Sequence, residues 1–88
     1  MKKVIFTKHA LKQANDRGVS LEEIEQALID TLWQDVRYNR CSSIKVFEYN
    51  QIWEEVFYRQ KEVKVIFTQE DDKIIVITVI ARYFKEQD

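Results

Sequence analysis

His9 and Arg17 are the residues whose types and spacing best suit chemistry. His9 is the only histidine in a chain of 88 residues and opens an amphipathic run after Phe6-Thr7-Lys8. At about 100° of rotation per helical residue, Ala10, Leu11 and Ala14 point one way while His9, Gln13, Asp16 and Arg17 gather on another side. In a first helical turn the positive end of the dipole works against imidazolium. With Lys8 alongside, this leaves the ring available as a base. The same helix start favours anions, and Arg17 adds a bidentate phosphate donor at the far end. Base plus anion site is the requirement of metal-independent RNA cleavage. A base takes the 2′-hydroxyl proton, cations hold the phosphorane, and an acid protonates the departing 5′-oxygen, leaving a 2′,3′-cyclic phosphate. A surface or capping histidine fits the same spacing.

The late segment Ala81-Arg82-Tyr83-Phe84 offers two more groups. Arg82 suits a phosphate clamp and Tyr83 a stacking platform or proton donor; an arginine that snorkels and a tyrosine that packs would look the same. Strict alternation puts Thr78, Ile80 and Arg82 on one face, and Thr78, with Lys8 and Lys12 on the first helix, completes a set of candidate substrate contacts. Trp33, Phe47, Tyr49, Trp53, Phe57 and Tyr58 interleave with basic residues, as in single-strand RNA binders but also as in a sheet with one solvated face. Trp53 and Phe57 could instead form an apolar patch for a partner. Cys41, before Ser42-Ser43, reads as a loop residue rather than a nucleophile. The adjacent carboxylates Glu54-Glu55 and Asp71-Asp72 do not read as a metal site.

The elements that must hold these groups follow from periodicity. Val4 to Phe6 reads as a short strand. Thr7 is an N-cap for a first helix, and Gly18 sits where a left-handed C-cap ends it. Ser20 with Glu23 is a capping box, with Val19 and Ile24 as its hydrophobic staple. Leu21, Ile24, Ala27, Leu28 and Leu32 then give the buried face of a second helix. After Trp33 the pattern alternates, predicting strands near 34–38, 44–49, 55–60, 63–68 and 73–82, with a hairpin turning at Gln69–Asp72. The last strand is apolar on both faces, which predicts a central position covered on both sides, by the helices and by a partner. The expected fold class is α+β: a short strand, two helices, then an antiparallel sheet of four to five strands.

Composition removes several function classes. The chain has one cysteine, one glycine and no proline. This excludes an intrachain disulfide, a Cys/His zinc site, a P-loop and a dinucleotide fingerprint, so no cofactor and no metal are expected. The longest apolar run, residues 74–80, is too short to span a bilayer, and the N-terminus lacks the pattern of a signal peptide. A single cytoplasmic domain over residues 1–88 is expected, with no membrane partner. The net charge is −1, unevenly spread. Residues 1–17 carry five basic groups against Asp16 alone, and residues 20–35 carry five acids and no base.

Phe6-Thr7-Lys8-His9-Ala10, Arg17-Gly18-Val19-Ser20 and the terminal hairpin with its Val76-Ile77-Thr78-Val79 strand together resemble a bacterial family of unknown function, DUF4258, over nearly the whole chain. That family has been grouped with the RelE/ParE-like toxins and the barnase–colicin–RelE ribonucleases. The resemblance implies a RelE-like domain and a metal-independent endoribonuclease of the toxin–antitoxin type, with RNA and an antitoxin-like protein as partners. On the family pattern His9, Arg17 and Thr78 are the characteristic polar positions, and Arg82 and Tyr83 match the late basic and aromatic residues of such toxins. The acidic balance of this chain departs from them. It suits instead a catalytically silent protein-binding module on the same fold.

Overall fold

The computed structural model describes residues 3–85. Its order is β1 (Lys3–Phe6), α1 (Lys8–Asp16), α2 (Leu21–Asp30), β2 (Gln34–Val36), β3 (Arg40–Trp53), β4 (Val56–Glu70) and β5 (Lys73–Phe84). The expected α+β class is found. One five-stranded sheet runs β1-β5-β4-β3-β2, and it is mixed because β1 joins β5 in parallel while every other pair is antiparallel.

Local chemistry sets the helices. The Thr7 hydroxyl accepts from the Ala10 amide and starts α1. Gly18, at φ 71°, turns the chain out of it. The Ser20–Glu23 capping box closes both ways, at 2.9 and 3.0 Å. Ala10 and Ala14 lie fully buried on β5, where their small side chains let α1 approach closely, while Ile24, Ala27 and Leu28 bury α2 over β4 and β3.

Leu32 departs from expectation, being 93% exposed, and Leu21 and Leu11 are also largely exposed. For Leu32 the cause is the early end of α2. Thr31 bonds back to the Ala27 carbonyl at 2.7 Å, and Trp33, 38% exposed, is the residue after the helix that turns back onto the sheet. Its indole donates to the Leu28 carbonyl at 2.9 Å and its ring meets Phe67 edge-on at 4.9 Å.

The two strands expected at 55–60 and 63–68 are one strand, β4, and Cys41 lies inside β3, paired with Phe67, rather than in a loop. Cross-strand register sorts the sheet into rows. Cys41–Phe67–Val76, Ser43–Val65–Val79, Lys45–Val63–Ala81 and Phe47–Lys61–Tyr83 face the helices. Ser42–Ile66–Thr78, Ile44–Lys64–Ile80 and Val46–Glu62–Arg82 face the other way. A bulge at Ile77 shifts the phase of β5, so that Val76 and Val79 both point inward. Both helices lie on one side of β5, and within the chain no described element covers its other face.

Fifteen residues of β4 would span about 50 Å if straight. The longest extent of the molecule is 41 Å, so the β3–β4 hairpin is coiled. A second bulge at Asn50, φ 50°, accompanies the coiling. It brings Trp53 back over the helix turn, where a Cβ on Gly18 would stand 2.5 Å from the indole.

Candidate functional site

β1 pairs with β5 only as far as Val76. Beyond that point the same edge of β5 is met by α1 and its cap. The Thr7 amide donates to the Val76 carbonyl at 3.1 Å and its hydroxyl to the Ile77 carbonyl at 3.4 Å. The Val79 amide donates to Gln13 Oε1 at 2.9 Å, and the Arg17 guanidinium donates to the Val79 carbonyl. Gln13 and Arg17 are four residues apart on one helix face, so they reach the two backbone groups of a single strand residue. The Tyr83 hydroxyl in turn donates to the Arg17 carbonyl. Arg17 and Tyr83 are thus brought together as joints between α1 and β5.

The other residues singled out from sequence are placed as follows. His9 is exposed on the same side of α1 as Gln13 and Arg17, with its Cα about 12 Å from that of Arg17 along the axis. Lys8 is exposed, and Lys12 pairs with Asp16 at 2.9 Å in an exposed i,i+4 contact. Thr78 stands on the outer face opposite Ile66. Arg82 stands on that face too, 3.5 Å from Glu62 and with its guanidinium 5.3 Å from the Phe84 ring centre. Arg82 and Tyr83, adjacent in sequence, therefore lie on opposite faces of the sheet.

Sequence reasoning missed the cluster that surrounds Tyr83. Its ring stacks on Trp53 at 5.3 Å and meets Tyr49 and Tyr58 at 5.4 Å each. Beneath them Lys61 is 2% exposed. Its ammonium donates to the Gly18 carbonyl and to Glu23 Oε1 at 2.7 Å, and lies 5.3 Å from the Tyr49 ring centre and 5.8 Å from that of Tyr83. Glu23 thereby serves both the capping box and a buried ion pair. Burial, aided by negative charge on Tyr49, Glu23 and Glu54, pushes the Tyr83 phenol up to about 12. The signal was present, because Lys61 continues the inward parity of Val63, Val65 and Phe67. Splitting β4 at that point concealed it.

On the flank of α2, the Gln26 amide donates to Asp30, and Lys45 of β3 pairs with Asp30 at 3.2 Å. These two contacts, Gln26 first, hold the Asp30 carboxyl below its ordinary range. A cleft of about 440 Å³ opens where Asp35, Val36, Asn39, Arg40, Cys41 and Gln69 meet, away from every residue discussed above as a candidate catalyst. Among the described residues no three His, Cys, Asp or Glu side chains converge as metal ligands, and no helix is long and apolar enough to cross a membrane.

No curated protein and no solved structure matches the chain with significance. A family model described as Domain of unknown function (DUF4258) matches residues 6–81, and the chain belongs to that family.

Proposed function

We propose that this DUF4258 member is a catalytically silent protein-binding module. The observation that carries the reading is the engagement of Arg17 and Tyr83. The Arg17 guanidinium bonds the Val79 carbonyl, and the Tyr83 hydroxyl bonds the Arg17 carbonyl. A phosphate clamp needs a guanidinium free to fork onto two oxygens. An acid for a leaving oxygen needs a proton it can release, whereas a phenol raised to about 12 and donating to the Arg17 carbonyl is held back from that role. Arg82 is across the sheet and paired with Glu62, so it does not join the other two.

The second reading, a RelE-like metal-independent endoribonuclease with an antitoxin-like partner, draws on His9. That side chain is exposed in the first turn of α1, on the face it shares with Gln13 and Arg17. Labelled single-stranded RNA incubated in EDTA with wild type and with His9→Ala separates the two readings. The binding-module reading expects no cleavage above buffer for either protein. Wild-type cleavage lost in a folded His9→Ala variant would replace it with the nuclease reading.

A further inference from the structure

We infer that the outward face of the sheet, centred on Lys64, docks an amphipathic helix of a partner protein that carries a carboxylate within its apolar stripe. The inference rests on the binding-module reading and adds the surface and the chemistry of the partner. Between Lys73 and Arg82, the outward residues of β5 are Ile75, Thr78 and Ile80, with the bulge residue Ile77 among them, and none is charged. A sheet face left to water alternates polar side chains at such positions. Register extends the aliphatic surface across the sheet, from Ile5 beside Ile75 through Ile66 to Ile44 and Val46, the last two 40% and 49% exposed. A contiguous surface of this kind marks an interaction site.

The chemistry of the face specifies the occupant. Lys64 stands in the middle of it, between Ile44 and Ile80 in its row, half-buried and with no ion pair among the described residues. Glu62, the next outward residue of β4, is held by Arg82 at 3.5 Å. The remaining charged groups lie at the rim: Lys3, Lys73 and Glu70 at one end, Glu48 at the other, and Arg40 toward β2. A partner that covers the aliphatic rows therefore takes the Lys64 ammonium out of water, which is costly unless the partner brings an acceptor. A carboxylate in an otherwise apolar stripe meets that need. The peptide groups of β4 are used in ladders on both sides, so an occupant of the face must satisfy its own backbone, as a helix does. From Ile75 to Arg82 the face runs about 20 Å, the length of a helix of about fourteen residues. A second copy laid face to face would bring Lys64 toward its own mate with only the engaged Glu62 in reach, which disfavours self-association.

The test uses three labelled, stapled helical peptides of about fourteen residues with leucines along one face, differing only at the centre of that face, which holds glutamate, lysine or leucine. Binding is read by fluorescence anisotropy and by isoleucine-methyl NMR of the full-length protein. The site predicts saturable binding of the glutamate peptide with methyl shifts at Ile5, Ile44, Ile66, Ile75 and Ile80. Ile29 on α2 and Ile52 at the hairpin tip, 59% and 67% exposed, should be spared. At least about tenfold weaker binding of the lysine peptide is expected, with the order reversed in the folded Lys64→Glu variant. In Lys64→Met the leucine peptide should become the tightest binder. Shifts centred on Ile29 or Ile52, or no saturable binding of any peptide, would overturn the docking face. Equal binding of the glutamate and lysine peptides overturns the carboxylate assignment, and a concentration-dependent dimer that shifts the same methyls without peptide gives the face to a second copy. RNA cleavage would remove the binding-module reading and leave the peptide result standing, so the two failures are distinguishable.

Discussion

The edges of β5 and β3 that lack a neighbouring strand are treated in opposite ways. Past Val76, β5 has lost its strand neighbour, and α1 closes the gap with a hydroxyl, an amide and a guanidinium aimed at backbone groups. Past Ser42, β3 has lost its strand neighbour too, and among the described residues no side chain bonds that edge in the same way. A buried or half-buried edge must satisfy its peptide groups, whereas an edge facing water can leave them to solvent. Polar side chains of α1 are thus committed to the edge lying under the helix. The difference separates an edge closed by helix side chains from an edge left to solvent.

The largest expected effect comes from breaking the geometry that holds α1 in place. Gly18→Ala puts a Cβ at φ 71° and 2.5 Å from the Trp53 ring. It should cost about 3 kcal/mol in denaturant unfolding and loosen the β5 edge along with the hairpin tip. Arg17→Ala opens the closed edge directly, by removing the charged donor to Val79. A loss of about 2 kcal/mol is expected, with faster exchange near Val79 and unchanged exchange at residues 43–49. A change at residues 43–49 would contradict the separation of the two edges.

The tip of the β3–β4 hairpin sharpens the comparison from the other side. Glu54 and Glu55 both sit at positive φ, 48° and 72°, in the two-residue turn between Trp53 and Val56. Primed turns of this kind favour Asn-Gly. Replacing Glu54→Asn and Glu55→Gly should stabilise the protein by about 1–2 kcal/mol and leave both edges as they are.

Tyr83→Phe removes the hydroxyl bond to the Arg17 carbonyl and should cost about 1 kcal/mol near neutral pH. The pH dependence has a definite sign. The folded phenol is raised to about 12 from 10.0, so folding favours its protonated form. Its contribution is complete below pH 10 and fades as pH rises from 10 through 12, and stability curves of wild type and Tyr83→Phe should converge over that interval. The smallest effect belongs to His9→Ala, an exposed position, expected within about 0.5 kcal/mol of wild type.

What could be read from the sequence was local. Thr7, Gly18 and the Ser20–Glu23 box act within one helical turn, and their side chains name their roles without help from the rest of the chain. The bulges were not legible. In residues 74–80 every position but Thr78 is apolar, so nothing marks Ile77 as the residue that shifts the phase of β5. Helical periodicity extended past Asp30 places Leu32 on the buried face, whereas the Thr31 back-bond stops the helix there and Leu32 is exposed. For the candidate site, the grouping of Gln13 and Arg17 on one side of α1 was visible. What they touch depends on β5, more than sixty residues away, which no local pattern encodes. Lys61 was hidden because an interior lysine reads as a strand break unless its partner Glu23 is known.

Amide hydrogen exchange on the unliganded protein, resolved by residue, tests the central contrast most directly. The Val79 amide, bonded to Gln13, should exchange close to the rate set by global unfolding, while alternate amides within residues 43–49 exchange orders of magnitude faster. Protection of every amide in residues 43–49 as strong as that of Val79 in the monomer, or rapid exchange at Val79, would contradict the account of one closed edge and one open edge.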